Sequence, residues 1–298
     1  MQPAVHLISG LPRSGSTLLS ALLRQNPRFV AGVSSPVAML CSNLLHSMSG
    51  ATEFASFFTD DRRRTILQGI FRSYYADVSP DRVIFDTNRS WTARLPLMRE
   101  LFPQARVIAC VREVGWILDS IERQIRRNPM RPSKLFNYKT GGSVYARVEI
   151  LMDPEKGLVG LPWSSLREAW FGEAADRLIV INYDDLAREP RRILVRLYET
   201  LGEPWFEHDI DNVVHDEPAY DEDLGLPGLH RVRRKVTPEP RSPAIPPDLF
   251  AKFADAAFWT LPRLNERNVT ILQARTGWPV GSITSAQPPP ASPRPRAR

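Results

Sequence analysis

A short loop near the start of the chain carries residues whose types and spacing could bind an anion. Residues 10–17 read Gly-Leu-Pro-Arg-Ser-Gly-Ser-Thr, and they lie between an apolar run at 4–9 and leucines that recur at helical spacing. Backbone N–H groups at the start of such a helix point toward a bound anion, and the helix dipole favours negative charge there. The sequence therefore predicts a phosphate-binding loop between a strand and a helix.

The loop departs from the nucleoside-triphosphate loop at one informative position. Its glycines have the spacing of Gly-x-x-x-x-Gly-Lys-Ser/Thr, but Ser16 stands where that pattern has lysine. Kinases and ATPases place the lysine on the outer phosphates, whereas Arg13 is the only cation in this loop. A plain strand-to-helix connection is the alternative interpretation of the glycines taken alone.

Polar residues also follow three further apolar strands. The strands predicted at 82–86, 106–111 and 178–181 lead to Asp86, Arg112 and Tyr183. Ligands of open parallel sheets bind at the carboxyl ends of the strands. We therefore expect these side chains and the loop to line one crevice, and we expect that crevice to be cationic.

Length and composition favour one large α/β domain. The 298 residues are 43% hydrophobic, and strand and helix patterns alternate along the chain. We assign residues 1–286 to this domain and expect the proline- and arginine-rich tail at 287–298 to be disordered. The net charge of +6 does not predict nucleic-acid binding, because three arginines of the tail supply half of it.

The sequence predicts no membrane span, export signal or metal site. No apolar run of about 18 residues occurs, and the first strand begins too early for a signal peptide, so we expect a soluble, cytoplasmic protein. Cys41 and Cys110 are too few for a disulfide framework. Neither the cysteines nor the five histidines have metal-ligand spacing, so no metal is predicted.

Three segments together carry a resemblance to a known family. They are the loop at 11–18, the pair Val111-Arg112 with Ser120 in the following helix, and the stretch 180–186 followed by Pro190, Leu201 and Gly202. In order and spacing they resemble the sulfotransferases that use 3′-phosphoadenosine 5′-phosphosulfate (PAPS). The chain is similar to the tyrosylprotein sulfotransferases and their bacterial relatives, from Val5 to Trp205.

The resemblance implies a fold and a donor site. The fold would be a P-loop-like three-layer α/β/α arrangement with a central parallel sheet, and PAPS would be the donor, with no metal. The 5′-phosphosulfate would bind to Arg13, Ser14, Gly15, Ser16 and Thr17. The 3′-phosphate would bind to Arg112 and Ser120, and Tyr183 would contact the nucleotide. Arg231 and Lys235 belong to a basic segment at 228–235 that would fold over the phosphates.

Sulfuryl transfer needs an in-line acceptor oxygen, positive charge on the leaving oxygen and a base. Arg13 would supply charge, and Arg89 lies near the position at which related enzymes place a basic residue on the leaving oxygen. Tyrosylprotein and carbohydrate sulfotransferases have an acidic residue in the segment that here contains Ser34-Ser35. We therefore predict Asp86 as a substitute base, with capping of the next helix as its structural alternative and His46 as another candidate base.

The sequence thus predicts an enzyme that transfers a sulfuryl group from PAPS to a hydroxyl or phenol acceptor. The acceptor would be a peptide, a glycan or a small molecule, and the sequence does not choose among them or define the oligomeric state. Two alternatives remain at this point. One is an ATP-dependent small-molecule kinase, against which Ser16 stands, and the other is a non-catalytic nucleotide-binding module.

Overall fold

A computed structural model describes residues 3–127, 142–223, 228–232, 234–235 and 242–274. Its centre is a six-stranded sheet in the order β2-β3-β1-β4-β5-β6, in which every neighbouring pair is parallel. The strands are β1 (Ala4–Gly10), β2 (Phe29–Ala31), β3 (Val83–Thr87), β4 (Val107–Val111), β5 (Leu178–Asn182) and β6 (Thr270–Leu272). All their carboxyl ends therefore meet at one edge of the sheet.

Helices cover both faces of the sheet. They are α1 (Ser16–Leu23), α2 (Val37–Ser47), α3 (Asp60–Tyr74), α4 (Leu95–Leu101), α5 (Val114–Arg127), α6 (Val144–Leu151), α7 (Gly160–Phe171), α8 (Tyr183–Arg188), α9 (Pro190–Leu201), α10 (Pro218–Asp223) and α11 (Pro247–Lys252). A 3₁₀ segment at Arg89–Arg94 follows β3. The predicted three-layer α/β/α arrangement with a central parallel sheet is confirmed.

Two hydrophobic cores result from the alternation of side chains along the strands. Val107, Ala109 and Val111 of β4 pack into the core beneath α2 to α7 and α11, whereas Ile108 and Cys110 pack into the core beneath α1, α8 and α9. Every residue of β4 is buried. A parallel strand covered on both faces has this continuous apolar sequence, and the pattern made β4 easy to recognise.

The predicted strands agree with the structure except at the edges of the sheet. The strands now called β1, β3, β4 and β5 were predicted, but β2 and β6 were not, because each has only three residues. After α11 ends at Lys252, the chain continues as short 3₁₀ turns. The tail at 287–298 lies outside the described residues, and the limits of the predicted domain stay a prediction.

The described residues contain neither a helix that could cross a membrane nor a group of side chains that could hold a metal ion. None of their helices has the length and apolar character that a membrane crossing requires. None of their histidines, cysteines and acidic residues gather in a group of three that could hold a metal ion.

The end of β1 approaches β4 more closely than a side chain would allow. Gly10 has φ of +105°, and a Cβ atom there would lie 2.1 Å from the carbonyl oxygen of Cys110. The next residue, Leu11, donates its N–H to that same oxygen at 2.9 Å. Gly10 is therefore required for both its backbone conformation and the space around it.

We predict that Gly10→Ala destabilises the fold by at least about 2 kcal/mol, since it combines a left-handed backbone with a backbone clash. Gly202→Ala isolates the conformational part, because Gly202 has φ of +73° with nothing within 4 Å of an added Cβ; we expect a cost of about 1 kcal/mol. Gly50→Ala, also in open space, should cost nothing. Chemical unfolding of the three variants checks this order, and equal stability of all three would contradict it.

Candidate active site

The loop after β1 leaves the start of α1 open to a ligand. Gly15 is the N-cap of α1 with φ of +92°, and no side chain caps the helix. Ser16 and Thr17 are half-buried, and their hydroxyls have no hydrogen-bond partner among the residues that the structure describes. Backbone N–H groups and two free hydroxyls at a helix N-terminus form a binding site for an anion.

Ser14 has a different position from the one predicted for its side chain. The side chain is buried, and its hydroxyl contacts the carbonyl oxygens of Leu11 and Cys110, the latter at 2.7 Å. It therefore ties the loop to β4 instead of facing the crevice. From Ser14, the backbone N–H is the group that remains for binding an anion.

Arg13 connects the loop to two distant segments. It has φ of +57°, its Nε donates to the hydroxyl of Ser120 on α5 at 3.2 Å, and its Nη1 donates to the carbonyl of Leu229 at 2.7 Å. The sequence placed Arg13 and Ser120 at two different phosphate positions. The structure brings them into direct contact at the mouth of the loop.

Arg112 and Tyr183 form the opposite wall. The guanidinium carbon of Arg112 lies 4.3 Å from the centre of the Tyr183 ring. The Nε of Arg112 is buried and has no hydrogen-bond partner among the described residues. The ring of Tyr183 also packs against Gly15, where an added Cβ would lie 2.7 Å from it. Arg112 as a whole is half-buried. A guanidinium whose buried Nε has no partner among the described residues, beside a phosphate-type loop, is suited to a second anionic group.

Arg89 adds a third cation after β3. Its carbonyl accepts a hydrogen bond from the Ser9 hydroxyl at 2.9 Å, which fixes the backbone beside β1. Its guanidinium forms no ion pair or hydrogen bond within the described part of the chain. Desolvation by the surrounding protein lowers the pKa of Arg89, although the side chain is exposed to solvent. Both observations fit a side chain in an open crevice, where protein surrounds the charge without covering it.

Asp86, the predicted base, lies beneath this crevice and is 1% exposed. Its carboxylate accepts hydrogen bonds from Trp91 Nε1 at 2.7 Å, from the Tyr75 hydroxyl at 2.7 Å and from the Ser35 hydroxyl at 2.5 Å. Burial raises the pKa of Asp86, while these three hydrogen bonds act in the opposite direction. This placement does not fit direct proton transfer from an acceptor, and it fits a carboxylate that holds four segments together.

Helix capping after β3 is performed by a neighbour of Asp86. Asn88 accepts the N–H of Ser90 at 3.1 Å and donates to the carbonyl of Ser35 at 3.2 Å. Ser34 is exposed and Ser35 is half-buried. His46, the other candidate base, is exposed in the last turn of α2, far from the end that begins beside Ser35.

The predicted basic segment reaches the loop at its first residues. Leu229 contacts Arg13, as described above. Arg231 is exposed, and Lys235 forms an exposed ion pair with Asp211 at 2.9 Å. Arg233 of the same segment lies outside the described residues. The segment thus contacts the anion loop through Leu229, while Lys235 pairs with Asp211.

Sequence reasoning missed a histidine–carboxylate pair beside Arg13. Asp221 of α10 is fully buried, and His230 lies against it with Nδ1 2.5 Å from Oδ1. The surrounding stretch at 209–223 is rich in acidic residues, which hides a single buried carboxylate among solvated ones. The position of His230 directly after Leu229 in the basic segment was the available signal.

Known proteins similar to this chain are sulfotransferases. A family model described as the sulfotransferase family matches residues 7–207. No match was found among curated proteins. Three solved structures are similar. The sulfotransferase domain from the curacin biosynthetic pathway is 16% identical, with a TM-score of 0.47, and the match covers 69% of this chain and 76% of that one.

The second is the sulfotransferase domain of the Synechococcus PCC 7002 olefin synthase, which is 19% identical with a TM-score of 0.47, covering 88% of this chain and 97% of that one. The third is a sulfotransferase from Alicyclobacillus acidocaldarius, which is 17% identical with a TM-score of 0.47, covering 75% and 90%. The family model covers about two thirds of the chain, from within β1 through α9, and the chain belongs to the sulfotransferase family.

Proposed function

We propose that the protein transfers a sulfuryl group from PAPS to a hydroxyl or phenol acceptor. The observation that carries the donor assignment is the pairing of two anion-binding positions. One is the start of α1, which has no side-chain cap, with Arg13, and the other is the buried Nε of Arg112 beside Tyr183, which has no partner within the described part of the chain. PAPS has two separated anionic groups, the 5′-phosphosulfate and the 3′-phosphate, and a nucleotide between them.

The donor would bind along the carboxyl edge of the sheet. The N–H groups of residues 14–17, with the hydroxyls of Ser16 and Thr17, would hold the 5′-phosphosulfate. Arg112 would hold the 3′-phosphate together with Ser120, whose hydroxyl contacts Arg13. Tyr183 would contact the nucleotide. In this arrangement Ser16 in place of lysine leaves room for a sulfuryl end, which carries less charge than a terminal phosphate.

Transfer would proceed in line, with the acceptor oxygen attacking sulfur as the bond from sulfur to the leaving phosphate oxygen breaks. Arg13 in the loop after β1 and Arg89 after the neighbouring strand β3 would stabilise the negative charge that develops on the leaving oxygen. Among the residues that the structure describes, Arg89 has the unpaired, accessible guanidinium that this role requires. Asp86 would act indirectly, by fixing Ser35 and the segment after β3 beneath the reacting groups.

The acceptor would be a hydroxyl-bearing peptide, glycan or small molecule, and the protein would act in the cytoplasm. A kinase is not favoured, because the position of the phosphate-binding lysine holds Ser16. Transfer of radiolabelled sulfate from PAPS distinguishes an enzyme from a nucleotide-binding protein without activity.

The first prediction concerns donor binding. Adenosine 3′,5′-bisphosphate, the desulfated product, should stabilise the fold by about 2.7 kcal/mol at a concentration 100 times its dissociation constant. Arg112→Ala should weaken this binding by about 10- to 100-fold, the loss of one hydrogen bond to a charged group. Thermal unfolding with increasing ligand measures both.

Arg106→Ala is the matched control, because Arg106 precedes the same strand at the opposite edge of the sheet, where its Nη1 bonds the carbonyl of Asp176. It should bind the bisphosphate as the unmodified protein does. An equal loss in both variants would contradict the assigned position of the 3′-phosphate. Absence of stabilisation in the unmodified protein, or stronger stabilisation by Mg-ATP, would contradict the proposed function.

The second prediction concerns chemistry. Arg13→Ala should lower transfer of radiolabelled sulfate from PAPS by at least about 100-fold, as expected when a donor to developing charge is removed. Arg13→Lys keeps the charge but loses the two-way hydrogen bonding to Ser120 and Leu229, and should recover only part of the rate. Radiolabelled transfer into a panel of phenols, alcohols and peptides measures the effect. Full activity in Arg13→Ala would exclude the proposed role.

A further inference from the structure

The pair formed by Asp221 and His230 has the geometry of an oriented base. One carboxylate oxygen of Asp221 accepts the backbone N–H of His230 at 2.9 Å, and the other lies 2.5 Å from Nδ1 of the same residue. A carboxylate can only accept, so Nδ1 carries the proton and the neutral ring presents its lone pair on Nε2. Asp221 thus fixes both the backbone and the tautomer of His230.

The free ring nitrogen is open to a ligand. Nε2 of His230 has no hydrogen-bond partner within the described residues, and the atom is not buried. The His230 side chain is 18% exposed, whereas Asp221 is completely buried. The ring is therefore held from behind by the carboxylate and accessible at the atom that can take a proton.

Its surroundings place His230 near the two arginines that the proposed function assigns to the leaving oxygen. The carbonyl of the preceding residue, Leu229, accepts from Arg13. The positive charges of Arg13 and Arg89 both act on the His230 ring, and the ring of Tyr220 lies 5.2 Å away. The two arginines assigned to the leaving oxygen and the accessible nitrogen thus belong to one cluster.

We propose that His230, oriented by Asp221, is the general base that takes the proton from the acceptor hydroxyl. This inference rests on the proposed function. As the acceptor oxygen forms its bond to sulfur, its O–H electrons supply that bond and its proton moves to Nε2. The bond from sulfur to the phosphate oxygen breaks, and its electrons leave with the bisphosphate. The proton is then released from His230 to solvent, so the products are a sulfate ester, the bisphosphate and one proton.

The charge environment keeps His230 in its basic form. Burial lowers the pKa of His230, the hydrogen bond and charge of Asp221 raise it, and Arg13 and Arg89 lower it, with a net decrease from the ordinary value. His215 and Tyr220 are the other titratable groups near the ring. At neutral pH the ring is therefore mostly unprotonated, as a base must be.

The test compares two acceptors of different acidity. His230→Gln should lower transfer to a simple alcohol by about 100-fold or more, the usual contribution of a general base. Transfer to 4-nitrophenol, an acidic phenol that ionises in the assay buffer without help, should fall much less. Binding of adenosine 3′,5′-bisphosphate and the temperature of unfolding should stay unchanged. Added imidazole should restore part of the activity of His230→Ala.

Asp221→Asn tests the orienting role independently. It should lower the rate, and it should shift the rising limb of the pH–rate profile to lower pH, because the carboxylate that raises the pKa of His230 is gone. Nitrogen chemical shifts of His230 in the unmodified protein should report protonation at Nδ1. His46→Gln, at the exposed end of α2, should transfer at the normal rate.

The outcomes separate this inference from the proposed function. If the unmodified protein neither binds the bisphosphate nor transfers sulfate, the proposed function fails. The unmodified protein can do both while His230→Gln lowers the transfer rates to the alcohol and to the phenol by the same factor, or lowers neither rate. In that case His230 is not the base. If Asp86→Asn instead causes the selective loss with the alcohol while its fold is intact, Asp86 is the base.

Discussion

The site depends on the close approach of the chain after β1 to the backbone of β4. Gly10 makes this approach possible because it has no Cβ, and Leu11 and Ser14 then bond to the carbonyl of Cys110. The loop that follows is thereby pressed against the sheet edge, and Gly15 begins α1 in a left-handed conformation under the ring of Tyr183. Without this contact the open helix start and Arg13 would not face Ser120 or the end of β4.

Around that loop, the protein divides its charged groups into two classes. Buried carboxylates are fully hydrogen-bonded, as Asp86 is to Trp91, Tyr75 and Ser35. Cations at the crevice keep unused capacity, as Arg89 and Arg112 do within the described residues. Unpaired buried or half-buried donors are costly unless a ligand completes them. The pattern is that of a crevice built for a multiply charged anion.

The sequence predicted the parts of the fold and site that depend on local pattern. The apolar runs of β1, β3, β4 and β5 and the glycines of the loop follow from periodicity and spacing. The strands β2 and β6 were missed because three residues carry no periodicity. The side chain of Ser14 was predicted to bind the ligand, but it bonds to the carbonyl of Cys110. No local sequence signal indicates that contact.

Sequence patterns could not reveal the roles that depend on contacts between residues far apart in the chain. Asp86 was chosen as base because it ends a strand, but Tyr75 from the end of α3 and Trp91 from the following segment surround it. The pair of Asp221 and His230 was hidden because burial of one acid in a charged stretch depends on tertiary packing. The contact between Arg13 and Ser120 joins residues 107 positions apart.

Transfer of labelled sulfur, compared with transfer of labelled phosphate, tests whether the protein is a sulfotransferase. The protein is incubated with lysate of its source and, in parallel, with PAPS radiolabelled in sulfur or ATP radiolabelled in its terminal phosphate, and the protein, lipid, glycan and small-molecule fractions are separated. We expect label from sulfur in one fraction, dependent on the protein and lost in Arg13→Ala, with no transfer of phosphate. Transfer of phosphate label, or no protein-dependent transfer of sulfur, would contradict it.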